Sequence, residues 1–173
     1  DVAVFRPSTG VWYISRSSDS GTTTVTYGVN NDIPTPRDYD GDGRADISVW
    51  RPSTTSFYTL RSSDTTTQQV TFGNNGDTPV SADFDGKANY AVRHNAGWII
   101  MNAAWTSTTT TTPTGDAAGD TPVANDFDGD GKVDIAVWRD SNGHWYIRKS
   151  GSGGALREEA CGTSGDIPVP ALW

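Results

Sequence analysis

The sequence predicts an all-β chain made of four repeated units of about 45 residues. Its 173 residues include 19 Gly and 9 Pro, and Glu occurs only at Glu158 and Glu159, so strong helix formers are scarce. The run at 1–7 (DVAVFRP) returns at 46–52 and 134–140, and weakly at 89–95. The four starts are 45, 43 and 45 residues apart, which indicates one structural unit used four times.

Each repeat contains four short strand-like runs between turn residues. The first is a Pro-containing stretch such as 33–36 (IPTP), and the second is the Val-Trp-Arg run that defines the repeat. The third is a Trp-Tyr-Ile type run such as 12–14, and the fourth is rich in Thr, as at 22–27. Four antiparallel strands in this length match a propeller blade. We therefore predict a four-bladed β-propeller of four-stranded antiparallel blades.

The predicted propeller is a single domain, 1–173. The first repeat begins at its second strand, and the last segment supplies a spare first strand. We expect this C-terminal strand to join the N-terminal blade and close the ring, which removes open sheet edges. The alternative is an open arc that a second chain completes. The expected blades are 165–173 plus 1–29, 30–73, 74–116 and 117–164.

Two Asp-rich loops, 38–46 and 126–134, follow the pattern Asp-x-Asp-Gly-Asp-Gly-x-x-Asp. Oxygen ligands at positions 1, 3, 5, 7 and 9 can surround one hard cation, and Gly at positions 4 and 6 permits the tight path. The pattern favours two structural Ca²⁺ ions over metal-free turns. The predicted ligands are the carboxylates of Asp38, Asp40, Asp42 and Asp46 with the Arg44 carbonyl, and the carboxylates of Asp126, Asp128, Asp130 and Asp134 with the Lys132 carbonyl.

A third loop, 83–89, is a degenerate copy that lacks two residues, including the third Asp. Asp83, Asp85 and Asn89 remain of its ligand set. We expect no tight cation site there.

The repeated loop and the strand that follows it resemble the FG-GAP and VCBS repeats found in integrin α-subunit propellers and secreted bacterial proteins. The resemblance covers the whole chain, and it implies calcium-loaded blades, an extracellular location and a binding or adhesive role. The number of blades differs, because those relatives usually have seven and this chain has four repeats.

Several functional classes are disfavoured by composition and spacing. A pI of about 4.5 argues against nucleic acid, and no apolar run is long enough to span a membrane. We expect no enzymatic activity, because His94 and His144 lie in no catalytic motif. His94 replaces the repeated Arg and is interpreted as surface variation. Cys161 is expected to be a buried apolar residue of a fourth strand.

Recurring aromatic residues are expected to form the core. Trp105 and Trp173 do not recur, and they are candidates for an interface or for ligand contact. The fourth strands are rich in Thr and nearly uncharged, which permits strand addition between molecules. The predicted function is a secreted structural or adhesive building block that assembles with copies of itself. The alternative is a lectin-like carbohydrate-binding module, whose partners are extracellular glycans.

Overall fold

The computed structural model describes residues 1–102, 104, 106, 108–111, 115–151 and 153–169. These residues form antiparallel sheets and no α-helix, so the all-β prediction is confirmed. A single 3₁₀ turn, Pro52–Thr54, is present in the described part. No helix in that part is long and apolar enough to cross a membrane. The chain divides into two compact units, Asp1–Asn75 and Gly76–Trp173.

The first unit contains a three-stranded sheet followed by a four-stranded one, with strand orders β1-β2-β3 and β4-β5-β6-β7. Its strands are β1 Val2–Arg6, β2 Val11–Ser15, β3 Thr22–Thr26, β4 Ile33–Pro34, β5 Ile47–Arg51, β6 Ser56–Leu60 and β7 Thr67–Thr71. The central strand β5 is rich in β-branched and aromatic residues and buries three successive side chains, whereas the outer strand β7 alternates between exposed and half-buried ones.

The second unit contains two four-stranded sheets, ordered β8-β11-β12-β13 and β14-β15-β16-β17, and a two-stranded ribbon β9-β10. Its strands are β8 Thr78–Pro79, β9 Ala82–Asp83, β10 Ala88–Asn89, β11 Ala91–His94, β12 Gly97–Met101, β13 Thr108–Thr111, β14 Thr121–Pro122, β15 Ile135–Arg139, β16 His144–Arg148 and β17 Leu156–Ala160. Each large sheet lies within one sequence repeat and follows its predicted strand order.

The recurring aromatic residues were predicted to form the core, and this is confirmed for five of them, whereas Phe5 and Trp145 are half-buried. The five buried ones are Trp12, Trp50, Phe57, Trp98 and Trp138. In three sheets two adjacent strands place rings opposite each other, with centroids 5.1, 4.8 and 5.5 Å apart: Phe5–Trp12, Trp50–Phe57 and Trp138–Trp145. Trp50 and Phe57 are completely buried. The third repeat has Arg93 in place of the first ring, opposite a fully buried Trp98. Contact between the paired rings and burial of their apolar area both stabilise these three hairpins.

An ion pair joins the short first strand of a sheet to its central strand. Arg51 donates two hydrogen bonds of 2.9 Å to Asp32, and Arg139 donates bonds of 2.9 and 2.8 Å to Asp120. The carboxylates of Asp32 and Asp120 are buried, so these bidentate pairs hold a strand of only two residues in place.

The third sheet makes the same connection with a different side chain. His94 occupies the position of Arg51, and its Nδ1 hydrogen-bonds to the buried carboxylate of Asp77. His94 is exposed, as the interpretation of surface variation expects, and it also makes a structural contact that the sequence did not reveal. Its imidazole replaces a guanidinium as the partner of a buried acid.

Ring closure by the C-terminal strand is not confirmed. Residues 166–169 are assigned to no strand, and the N-terminal sheet has three strands instead of four. A four-bladed propeller thus stays a prediction, while the antiparallel all-β architecture is established.

Candidate metal centres

The first Asp-rich loop brings three carboxylates together. One oxygen from each of Asp38, Asp40 and Asp42 lies within 4.8 Å of the others. The loop connects β4 to β5, and an antiparallel bridge between Arg37 and Asp46 closes its base, with a 2.8 Å bond from the Asp46 N–H to the Arg37 carbonyl. Three oxygens at this spacing can share one cation.

Backbone N–H groups set the shape of this loop. The Asp38 carboxylate accepts bonds from Gly41 (2.6 Å), Asp42 (3.1 Å) and Gly43 (2.8 Å). Gly41 and Gly43 have φ values of 83° and 86°, in the left-handed region, so the two glycines are needed for this path. The Arg44 N–H donates to Asp42 at 2.8 Å. The sequence pattern therefore specifies a preformed loop.

The second loop repeats the arrangement with Asp126, Asp128 and Asp130, whose ligand atoms also lie within 4.8 Å of one another. Asp126 accepts bonds from Gly129 (2.7 Å) and Gly131 (2.9 Å). The Gly131 N–H, helped by that of Gly129 and opposed by desolvation, lowers the pKa of the Asp126 carboxyl from its usual value. The carboxylate thus stays ionised and ready to bind a cation.

Asp128 gives the clearest sign of a missing partner. Its side chain is only 13% exposed, and its Oδ1 is buried without a hydrogen-bond donor among the described residues. The nearest ammonium, on Lys149, lies 4.0 Å from the other oxygen, Oδ2. Burying an ionised oxygen without a partner is costly, so this site suits a bound cation.

Charge compensation around the first loop is also incomplete. Within the described residues, no Lys or Arg forms an ion pair with Asp38, Asp40 or Asp42. The side chain of Arg44, which lies in the same loop, is exposed. Three adjacent carboxylates repel one another unless a cation neutralises them.

Serine residues from the following hairpin close over both loops. Ser62 Oγ donates to Asp42 at 2.8 Å, and Ser63 Oγ donates to Asp40 at 2.6 Å. In the second loop Ser150 Oγ donates to Asp130 at 3.0 Å. Sequence reasoning missed these residues, because they lie about 20 positions after the acids they contact. Their recurrence at matching repeat positions was the available signal.

The ninth-position acids have a different environment from the three others. Asp46 is completely buried, and its two oxygens accept bonds from the N–H groups of Tyr39 (2.9 Å) and Ser62 (2.8 Å). Asp134 makes the matching bonds to Phe127 (2.9 Å) and Ser150 (2.7 Å). Neither is part of its three-carboxylate cluster. Asp46 and Asp134 therefore clamp the loop to the next hairpin, and their role as metal ligands stays a prediction.

The degenerate third loop is a short ribbon. Asp83 accepts a 2.6 Å bond from Gly86, and Asn89 accepts a 3.0 Å bond from Phe84 while donating to the Met101 carbonyl at 3.0 Å. Asp83 and Asp85 belong to no three-carboxylate group in the described part of the chain. Asn89 occupies the ninth loop position, and its amide links the loop to the following hairpin as the carboxylates of Asp46 and Asp134 do in the other two loops.

Four further residues that the sequence singled out lie outside the Asp-rich loops. Trp105 and Trp173 lie outside the described residues. Cys161 is exposed, so its expected burial was wrong. Phe72 occupies the position in the second repeat that matches Cys161, and its ring stacks on that of Phe57 with centroids 5.4 Å apart. A cysteine has no ring and cannot make this stacking contact. His144 pairs with Glu158 at 2.8 Å on the surface.

No family model and no curated protein matches this chain. The resemblance to FG-GAP and VCBS repeats therefore stays a prediction, and the function is argued from the geometry alone.

Single substitutions should remove the calcium sites one at a time. We expect Asp40→Ala and Asp128→Ala each to lower the calcium stoichiometry from two ions to one, because each removes a central carboxylate from one cluster. Calcium titration calorimetry measures the count. Asp64→Ala is the matched control, since Asp64 is an exposed acid in a turn and should leave the stoichiometry unchanged. Two ions bound to either loop variant would contradict the assignment.

Proposed function

We propose that the protein is a calcium-stabilised β-propeller without enzymatic activity that acts outside the cell as a structural or adhesive building block. In this proposal the three four-stranded sheets and the three-stranded N-terminal sheet are the four blades. The segment 165–173, from the same chain or from a second copy, completes the N-terminal blade. Copies of the chain associate through their outermost strands.

The pair of Asp clusters is the observation that carries the calcium assignment. Both are preformed by backbone hydrogen bonds, and both consist of oxygen ligands alone. One of them has a buried oxygen, on Asp128, to which no described residue donates a hydrogen bond. Oxygen-only, strongly anionic sites select hard cations, and an irregular loop suits the flexible coordination of Ca²⁺ better than the strict octahedron of Mg²⁺. A cation in each loop also links the loop to the serine-bearing hairpin and stabilises the sheet.

The outermost strands support self-association. β3, β7 and β13 are the last strands of their sheets, and none carries a charged side chain. Thr24, Thr67 and Thr109 on these strands are exposed. Uncharged, β-prone edge strands are templates for pairing with another molecule. β17 differs, since it carries Arg157, Glu158 and Glu159.

An extracellular location is supported by the same chemistry. Oxygen-ligand loops of extracellular modules bind calcium with dissociation constants of about 10⁻⁴–10⁻³ M, which suits calcium-rich surroundings. Calcium can also serve as the staple that disulfides provide in other secreted domains, since the chain has a single cysteine.

Imaging of the purified protein by electron microscopy, with calcium and with EDTA, tests the proposed function. Filaments or sheets that form with calcium and dissolve with EDTA are expected. A monodisperse monomer that is retained on a glycan array would contradict self-assembly and support the carbohydrate-binding alternative. A monomer that binds no glycan would contradict both.

Charges on the edge strands should prevent lateral association. We expect the triple variant Thr24→Lys, Thr67→Lys, Thr109→Lys to lose the lateral assemblies, because ammonium groups on an edge oppose strand addition. The matched control is the corresponding triple Val variant, which keeps the edges uncharged and β-prone. Light scattering in calcium buffer compares the two. Equal scattering from both variants would exclude these edges as the contact.

A further inference from the structure

β1 is an edge strand of the N-terminal sheet, and no other strand among the described residues pairs with its free side. Val2 and Val4 are 74% and 65% exposed. At the position that matches Val4, Val49 and Val137 are 0% and 2% exposed, and each lies opposite a proline of the short first strand. β1 therefore presents apolar side chains, and backbone groups without a strand partner in the described part of the chain, where the other large sheets carry an additional strand.

Arg6 on this edge has the same stacking arrangement as two arginines that pair with buried carboxylates. Its guanidinium stacks on the Tyr13 ring at 4.6 Å, as those of Arg51 and Arg139 stack on tyrosine rings at 4.2 and 4.3 Å. Those two arginines also form bidentate pairs with buried aspartates. Arg6 donates to the Tyr13 hydroxyl at 2.7 Å, and no carboxylate pairs with it in the described residues.

The segment 163–169 begins with the same turn that precedes the short first strand in two other sheets. The carboxylate of Asp166 accepts a 2.9 Å bond from the Thr163 N–H, and the Asp166 N–H donates to the Thr163 carbonyl at 3.2 Å. Asp32 and Asp120 make the same two bonds with Val29 and Ala117, at 2.8–2.9 Å and 3.2 Å. The turn that presents Asp32 and Asp120 to an arginine is therefore already formed around Asp166.

This segment is available for pairing. Asp166 is exposed and has no arginine partner among the described residues, whereas Asp32 and Asp120 are buried. Ile167 and Val169 are 84% and 65% exposed and belong to no strand. The turn before them is fixed to its own sheet, because Asp140 accepts bonds from Ser164 Oγ (2.8 Å) and the Gly165 N–H (2.6 Å).

We propose that residues 166–169 of one copy add to β1 of a second copy, and that Asp166 of the donor forms an ion pair with Arg6 of the acceptor. The proposal rests on the self-assembly proposed above, and it names the junction and its partner. The register follows from the other sheets, in which Ile33 lies opposite Trp50 and Pro34 opposite Val49. Ile167 then lies opposite Phe5, and Pro168 opposite Val4.

Each copy carries one donor segment and one acceptor edge, so the exchange joins copies head to tail. Exchange of an identical element between protomers is a low-cost route to association, since the bonds formed are those that the fold already uses. Strand addition supplies main-chain hydrogen bonds, and the ion pair sets the register. The charges are complementary, and apolar residues on both surfaces become covered.

Charge reversal tests whether the junction joins two chains. Arg6→Asp and Asp166→Arg are prepared separately in the edge-lysine background, which removes lateral association. We expect the background protein to form multimers in calcium buffer and each reversal variant to be monomeric by size-exclusion chromatography with light scattering. After the two variants are refolded together, we expect multimers that contain both chains equally. Monomers in the mixture, or a monomeric background protein, would overturn the proposal.

Crosslinking gives a second test that does not depend on charge. In a Cys161→Ser background, Val4→Cys and Pro168→Cys place thiols on residues expected to be opposite each other, where Cα atoms about 4.5–5.5 Å apart allow a disulfide. A ladder of covalent multimers on a non-reducing gel is expected. A monomeric product with an internal disulfide would show closure within one chain and overturn the proposal, and so would no disulfide at all. Val4→Cys alone in that background is the control, and it should yield no ladder.

Calcium content, measured on the same samples, separates this proposal from the one on which it rests. If the edge-lysine background protein is monomeric and binds two calcium ions, strand exchange is contradicted and the calcium assignment is not. Multimers that bind no calcium count against the calcium-dependent function and leave the junction intact.

Discussion

Removal of calcium should lower the melting temperature of the protein by roughly 10–20 °C. A ligand present at 100 times its dissociation constant stabilises the folded state by about 2.7 kcal/mol, and two loops would double this. For a chain of this size, 1 kcal/mol corresponds to a shift of about 2–4 °C. The physical cause is the repulsion among three carboxylates in each loop, which a bound calcium ion would neutralise. Calorimetric melting in calcium buffer and in excess EDTA measures the shift.

The control for chelation is EDTA that has been saturated with calcium, which should leave the melting temperature unchanged. Magnesium at the same concentration should restore less stability than calcium, because the loops suit a flexible coordination shell. Identical melting curves with and without chelator would contradict the calcium account.

Asp46→Ala should destabilise the protein by about 2–6 kcal/mol even without calcium. Asp46 is completely buried and accepts the N–H groups of Tyr39 and Ser62. Its loss leaves two buried donors without acceptors, at about 1–3 kcal/mol each. Urea unfolding in EDTA measures the change in the free energy of unfolding.

The matched comparison is Asp40→Ala in the same EDTA buffer. Asp40 belongs to the carboxylate cluster, and its removal relieves repulsion in the calcium-free state. We expect the free energy of unfolding to change by less than about 1 kcal/mol, as is usual away from buried hydrogen bonds. Equal effects from Asp46→Ala and Asp40→Ala would show that Asp46 is not a clamp.

The strands could be predicted from the sequence because their information is local. Runs such as 47–51 and 56–60 combine β-branched and aromatic residues between turn signals, and the repeat supplies the same run several times. The three carboxylates of each Asp cluster were predictable for the same reason, since they lie within five residues of one another.

Contacts between distant parts of a repeat were not predictable from local patterns. Asp32 and Arg51 are 19 residues apart, and Ser62 is 20 residues from Asp42. Only the folded hairpins bring these groups together. The contact of His94 with Asp77, which precedes it by 17 residues, was missed for this reason.

Asp46 illustrates a limit of motif reasoning. The spacing of the loop marks it as a fifth ligand, yet burial and two backbone donors give it a structural role that the spacing does not reveal. A carboxylate at a ligand position can stabilise the loop by accepting hydrogen bonds from its backbone and from the next hairpin. This stabilisation does not require a bound cation.

The most direct test of the account is the number of calcium ions bound per chain, measured by titration calorimetry on calcium-depleted wild-type protein. The account predicts two ions, one for the loop that contains Asp40 and one for the loop that contains Asp128. A protein that is folded and binds no calcium would contradict it.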